Sequence, residues 1–203
     1  MKIKSARFLV SAAEWQKCPK PTLPEYAFVG RSNVGKSSLI NMITEKRDLA
    51  KTSGTPGKTQ LINHFLINDE WYLVDLPGYG FAKVTKTIRE NFDALMKGYI
   101  ANRDNLMCVF VLIDSRLEPQ KNDLDFINWL GDNGVPLALI FTKADKQKPQ
   151  HTEANIEVFK SVLLQYWEVM PTYFISSAEK KQGAEEILDF IEEANKGFGK
   201  FLV

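Results

Sequence analysis

A mostly parallel α/β sheet with helices on both faces follows from three features of the 203-residue sequence. Short apolar runs recur along the chain, segments of helical spacing separate most of them, and one pair of runs is joined by only three residues. Alternating strands and helices build a parallel sheet covered on both sides, whereas a three-residue link can only turn back into an antiparallel hairpin. The expectation is therefore a six-stranded, mostly parallel sheet with one antiparallel edge hairpin strand. Hydrophobic residues at 44%, aromatic at 11% and charged at 25% match an ordinary globular domain with a sizeable core, and exclude disorder, collagen-like repeats and coiled coil.

The elements follow in order. An N-terminal arm, residues 1–24, ends in Pro19-Lys20-Pro21-Thr22-Leu23-Pro24, so the main domain is read as residues 25–203. Tyr26–Val29 is strand-length, and Ser38–Ile43 has helical spacing. Leu61–Ile67 and Trp71–Val74 are the hairpin pair around Asn68-Asp69-Glu70. Strands are then expected at Met107–Ile113, Leu137–Phe141 and Thr172–Ile175, with helices over Ile88–Ile100, Leu124–Leu130, Ile156–Tyr166 and Ile187–Ala194. Trp15, Trp71, Trp129 and Trp167 are scattered and read as packing residues.

No apolar run approaches the roughly 18 to 20 residues that span a bilayer, and the first residues lack the apolar stretch of a secretory signal, so a cytoplasmic protein with no membrane partner is expected. Cys18 and Cys108 form neither a ligand cluster nor a disulfide framework and are read as reduced thiols. His64 and His151 stand alone, so no zinc site is expected. The formal net charge of +1 conceals an asymmetry: residues 1–60 hold eleven Lys/Arg against four Asp/Glu, and residues 91–203 hold twelve against seventeen. Such segregation suits a polyanionic partner on one face, and it equally suits solvated surface.

In open α/β sheets ligands sit beyond the carboxyl ends of the strands, and the chemistry-bearing motifs fall there. Gly30-Arg31-Ser32-Asn33-Val34-Gly35-Lys36-Ser37 follows a strand and opens a helix, in the phosphate-loop pattern GxxxxGK[ST]. Its glycines let backbone N–H groups close around a phosphate, Lys36 is placed to neutralise the β- and γ-phosphates, and the Ser37 hydroxyl can ligate Mg²⁺. The hairpin's second strand delivers Asp75 in Asp75-Leu76-Pro77-Gly78, where the carboxylate can hold Mg²⁺ through a water and the Gly78 N–H can sense a γ-phosphate. Thr142-Lys143-Ala144-Asp145 resembles the guanine-reading NKxD motif with Thr in place of Asn: Asp145 can accept from guanine N1–H and the 2-amino group together, and Lys143 can lay its stem over the base. Ser176-Ser177-Ala178 would offer backbone N–H groups to the guanine carbonyl. In the loop Ser53–Gln60, Thr59 is the threonine best placed to complete a Mg²⁺ shell when a γ-phosphate is present.

These stretches, together with Pro56-Gly57-Lys58-Thr59-Gln60 and Tyr79-Gly80-Phe81-Ala82 after Gly78, resemble the EngB (YihA/YsxC) family of bacterial ribosome-biogenesis GTP-binding proteins, of the TrmE-Era-EngA-EngB-like class, over almost the whole chain. The resemblance implies a Ras-like P-loop GTPase domain, GTP and GDP as ligands, Mg²⁺ dependence, action in assembly of the large ribosomal subunit, and a part in cell division and septation. It implies nucleotide contacts from the phosphate loop, Gly57, Lys58, Thr59, Gln60, Leu61, Asp75 to Gly78, Thr142 to Asp145, Ile175, Ser176 and Ser177. Mg²⁺ would sit on Ser37, Thr59 and Asp75, with Lys36, Thr59, Gly78 and Asn33 as the catalytic set. Where Ras-type enzymes carry a water-orienting Gln two residues after the DxxG glycine, this chain has Gly80, so slow hydrolysis is expected. Related GTPases with this gap use K⁺ held partly by a P-loop Asn, here Asn33, although Asn is also an ordinary turn former. A monomer is expected. The rival readings are a P-loop enzyme using ATP and a non-catalytic guanine-nucleotide-dependent binding module.

Overall fold

The computed structural model describes residues 1–50, 61–79 and 86–198. Its strands are β1 (Ala6–Ala12), β2 (Glu25–Gly30), β3 (Ile62–Ile67), β4 (Trp71–Asp75), β5 (Leu106–Asp114), β6 (Leu137–Thr142) and β7 (Tyr173–Ile175). Its helices are α1 (Lys36–Ile43), α2 (Lys86–Asn102), α3 (Lys121–Asp132), α4 (Pro149–Leu163) and α5 (Ala184–Asn195). The sheet order is β1-β3-β4-β2-β5-β6-β7. β4, β2, β5, β6 and β7 pair in parallel, and β3 is antiparallel to both of its neighbours.

Period-two alternation within the central strands sends side chains into two cores. Ala27 and Val29 join Tyr99, Phe126, Ile127 and Phe159 on the face covered by α2, α3 and α4. Tyr26 and Phe28 join Leu39, Ile40, Ile187 and Ile191 on the face covered by α1 and α5. Both faces of β2 are thus sealed, which is why all six of its residues are buried. Phe110 of β5 stacks on Phe28 at 4.8 Å and meets Phe190 edge-on at 5.7 Å, so Phe110→Ala should cost about 3–5 kcal/mol. The tryptophans do pack: Trp71 is fully buried, and Trp167 donates from Nε1 to Asn128 Oδ1 at 2.8 Å. Cys18 and Cys108 are free, and burial pushes their thiols up to about 11 and about 12.

Among the described residues the sheet has seven strands rather than six, and the antiparallel strand β3 lies one place in from the edge. The extra strand is β1, from the arm, which pairs with β3 from Ala6↔Ile67 to Ala12↔Ile62. It lacks the alternation that marks a half-buried strand: Phe8 and Leu9 are exposed, and a register irregularity falls between Phe8 and Val10. Only tertiary pairing makes it a strand. Among the described residues no helix is long and apolar enough to cross a membrane.

Candidate functional site

β2 runs out at Gly30 and α1 begins at Lys36, so the phosphate loop spans the carboxyl edge of the sheet. A Cβ at Gly30 would lie 2.8 Å from the Leu112 carbonyl oxygen and 2.9 Å from Val34 Cγ1, leaving no room for a side chain. Gly35, the N-cap of α1, has φ +104°, a backbone state that side-chain-bearing residues rarely adopt. Asn33 has φ 63°, where Asn is better tolerated than most residues, so the turn alone gives a reason for an asparagine there. The β6 end braces the loop from the side. Thr142 Oγ1 lies 2.7 Å from the Val34 carbonyl oxygen and 3.1 Å from that of Ile113, and Lys143 Nζ donates to the Asn33 carbonyl at 2.6 Å. The threonine that replaces asparagine in the NKxD pattern therefore fastens the Thr142–Asp145 loop to the Gly30–Ser37 loop.

β4 ends in Asp75, 3% exposed, and its carboxylate forms an ion pair with the Lys36 ammonium. Burial pushes Lys36 down to about 7, and the adjacent Asp75 charge is what favours keeping the proton. Beyond Asp75 the chain is tied to β2 twice: Leu76 N–H donates to the Phe28 carbonyl at 3.0 Å and Tyr79 N–H to that of Gly30 at 3.2 Å. Pro77 and Gly78 lie between these ties, alongside the phosphate loop. Ser37 is half-buried in the first turn of α1, and Leu61 is 38% exposed just before β3. Gly57, Lys58, Thr59 and Gln60, as well as Gly80, Phe81 and Ala82, lie outside the described residues.

At the other end of the cleft, a cavity of about 220 Å³ is lined by Gly35, Ser38, Thr142, Lys143, Asp145 and Ser176, among others. The Asp145 side chain is 6% exposed; Ser177 Oγ donates to Oδ1 at 2.6 Å and Lys146 Nζ stands 3.0 Å from Oδ2. The Ser177 hydrogen bond, with Lys146 adding to it, brings the Asp145 carboxyl down to about 2. It is a fixed anion whose two oxygens retain free lone pairs. The Ser176 and Ser177 amides, expected to face a base carbonyl, are already engaged: Ser176 N–H donates to the Phe141 carbonyl at 2.8 Å and Ser177 N–H to that of Gln182 at 3.2 Å. Ser177 acts at the cleft through its hydroxyl, and Ala178 lines the cavity after it. Ile175 is half-buried and packs against the core under α2, α3 and α4.

Sequence reading missed Asp114. Burial alone would raise its carboxyl, but the guanidinium of Arg116, bound at 2.9 and 2.8 Å, and Lys143 Nζ at 2.9 Å hold it at about 2. By gripping Lys143, Asp114 sets where that side chain lies beside the cleft. The available signal was the one used for Asp75, a carboxylate at the end of an apolar strand. No group of three or more His, Cys, Asp or Glu able to hold a metal occurs among the described residues. The cleft thus offers a buried cation and a helix N-terminus at one end, hard oxygen atoms beside them, and a fixed carboxylate at the other end.

Comparison with known proteins gives this arrangement a family. Residues 25–143 match the family described as 50S ribosome-binding GTPase. The chain is 56% identical over 195 residues to a Christiangramia forsetii protein named probable GTP-binding protein EngB, covering 96% of this chain and 98% of that protein. It is 55% identical over 196 residues to the Porphyromonas gingivalis protein of the same name, covering 97% and 98%. Among solved structures, a probable GTP-binding protein EngB superposes with a TM-score of 0.65 at 24% identity, over 85% of this chain and 98% of that one. Era, in complex with MgGDPNP and nucleotides 1506–1542 of 16S ribosomal RNA, superposes at 0.66 with 19% identity over 85% of this chain and 56% of its own. These two likenesses establish a Ras-like P-loop GTPase fold. By the family match and by full-length relatives at this identity, the chain belongs to the EngB GTP-binding proteins of the 50S ribosome-binding GTPase family.

Proposed function

We propose that the cleft binds GTP and GDP with the phosphates on Gly30–Ser37 and the base on Asp145, and that the nucleotide state controls binding to the large ribosomal subunit or its precursor. The observation that carries this reading is the anchored Asp145 carboxylate at the end of a cavity that begins at the Gly35 turn. Its two oxygens match the N1–H and 2-amino donors of guanine, a pair that adenine lacks, so the reading favours GTP over ATP. Lys143 flanks the base, and the Ala178 amide replaces those of Ser176 and Ser177 as the donor to the base carbonyl.

The oxygen donors Ser37 Oγ and Asp75 suit Mg²⁺, which is commonly held by few protein ligands and completed by phosphate and water; Thr59 would add a ligand with triphosphate. When bound, Mg²⁺ offsets charge on the β- and γ-phosphates. Lys36 would neutralise the β- and γ-phosphate oxygens, and the neighbouring Asp75 carboxylate would hold the metal through a water. Gly57, Lys58, Gln60 and Leu61 would flank the nucleotide from the preceding loop. Gly78 N–H would orient the γ-phosphate. With Gly80 in the place of a water-orienting Gln, hydrolysis is slow, and K⁺ beside Asn33 would supply part of the missing charge; faster turnover in KCl than in NaCl at equal ionic strength is the expected sign.

The family description supports the ribosomal partner, and the basic bias of residues 1–60 suits rRNA phosphates. We assign the protein to the cytoplasm as a monomer, with residues 25–203 as the GTPase unit, residues 1–24 as its accessory arm, and a downstream effect on division and septation. Co-sedimentation with large ribosomal subunits in the presence of a GTP analogue, GDP or no nucleotide tests the proposal. Association that differs between the first two supports it, and identical sedimentation in all three contradicts the switch.

A further inference from the structure

Tyr79, the residue after Gly78, is held at both ends. Its backbone forms a parallel bridge with Arg31 of the phosphate loop, and its N–H donates to Gly30. Its hydroxyl donates to Asp123 Oδ1 of α3 at 2.9 Å, while its ring packs on Phe126, one helical turn further along α3, at a centroid distance of 4.8 Å. The backbone tie at 3.2 Å and the side-chain contacts to α3 together fix this residue.

Asp123 is a costly partner for a residue that only packs. It is 2% exposed, and burial raises its carboxyl to about 6 against the Tyr79 hydrogen bond and the Arg31 charge, which lower it. An apolar side chain in the first turn of α3 would fill the space without that penalty. The phosphate loop, the Gly78 segment and α3 converge on this one carboxylate.

We propose that Tyr79, held by Asp123, is a positioning residue that fixes the Gly78 amide for a γ-phosphate, so that α3 contributes to discrimination between GTP and GDP. The inference rests on the guanine-nucleotide reading of the cleft. Gly78 has no side chain of its own to anchor it, and its placement comes from the fixed points on either side, Leu76 and Tyr79. Loosening Tyr79 leaves the phosphate loop and Asp145 intact, so diphosphate binding persists while the contact reserved for the third phosphate weakens.

The test compares affinities for GDP and a non-hydrolysable GTP analogue, by competition with a fluorescent nucleotide, in wild type, Tyr79→Phe, Asp123→Ala and Asp123→Asn. In Tyr79→Phe GDP affinity should stay within about twofold while analogue affinity falls about fivefold or more, the low end of ordinary coupling between sites, and Asp123→Ala should lower the analogue-to-GDP affinity ratio at least as far. Asp123→Asn retains an oxygen that accepts from the Tyr79 hydroxyl and should recover most of the loss. If Asp123→Ala does not fold, Tyr79→Phe decides alone, since it removes one oxygen and keeps the ring on Phe126. An unchanged analogue-to-GDP ratio in Tyr79→Phe, or equal weakening of both nucleotides, overturns the latch while the guanine reading stands. Wild-type protein that binds neither nucleotide overturns that reading and the latch with it.

Discussion

The two ends of the sheet each carry a charged cluster, and the clusters differ in what they leave open. At the amino end of β2, Glu25 is fully buried and accepts from Tyr99 at 2.5 Å and from Arg103 at 3.0 Å, with a second Arg103 contact on its other oxygen. Arg103 also donates to the Pro19 carbonyl at 2.8 Å, tying in the arm, and His64 Nε2 lies 3.4 Å from Glu25. At the carboxyl end, Asp75, Asp114 and Asp145 stand around a groove that solvent enters. Glu25, Asp114 and Asp145 all have carboxyls near 2, so depressed acidity does not separate structure from function. Unused valence and an adjoining cavity do.

Removing an anion should therefore have opposite consequences at the two ends. Glu25→Ala strands a buried Arg103 charge and should cost about 3–5 kcal/mol, lowering the thermal midpoint by roughly 10 °C; nucleotide preference of the folded protein should not change. A variant that keeps its midpoint and loses nucleotide would break the contrast.

Acid should reveal the same cluster. Burial pushes the Glu25 carboxyl up, but the surrounding His64, Arg103 and Tyr99 groups bring it from an ordinary 4.5 to about 2. A depressed carboxyl contributes stability that is fully present above about 4.5 and is lost as pH falls toward 2. The amount is about 3 kcal/mol, measurable as a shallower pH dependence of the urea midpoint in Glu25→Gln than in wild type.

Asp145→Asn should lower the thermal midpoint far less than Glu25→Ala, since Asn Oδ1 can still accept from Ser177, while guanine affinity falls at least about tenfold and xanthine affinity rises, because the new amide N–H₂ meets the guanine 2-amino group donor to donor but finds an acceptor on xanthine. Competition with GTP, XTP and ATP reads it, and a variant still preferring GTP would move base recognition elsewhere. The smallest effect is at the brace between the two loops. Thr142→Ala should cost about 1 kcal/mol of stability and weaken nucleotide binding a few fold, with Thr142→Asn restoring the tie; no change in either quantity would mean that the hydroxyl contact is incidental.

The parallel core and the strand ends of the cleft were legible because they rest on local patterns: apolar runs of strand length, glycines where the backbone must pass close to β5, and carboxylates at strand ends. β1 was not legible, because its pairing partner supplies the only reason for it to be extended. The Ser177 role was hidden for a related reason: whether its amide or its hydroxyl is available depends on Gln182, which folds back onto it. Tyr79 and Asp123 lie 44 residues apart, and neither residue type announces the other. Sequence spacing finds groups that act on a ligand from one loop; groups that act on one another across the fold need coordinates.

β1 also has an order-of-assembly consequence. Ala12 waits for Ile62, about fifty residues downstream, and β3 in turn must pair with β4 before it offers a stable edge. At ribosomal rates of about 5–20 residues per second, the first strand made stays without its partner for about 3 to 10 seconds. During that interval Phe8, Leu9 and Val10 form a short apolar segment with unpaired backbone groups, open to the wrong neighbour. The strand that is synthesised first spends this interval without its single pairing partner, so folding yield, more than the stability of the finished sheet, is where changes in the arm should register.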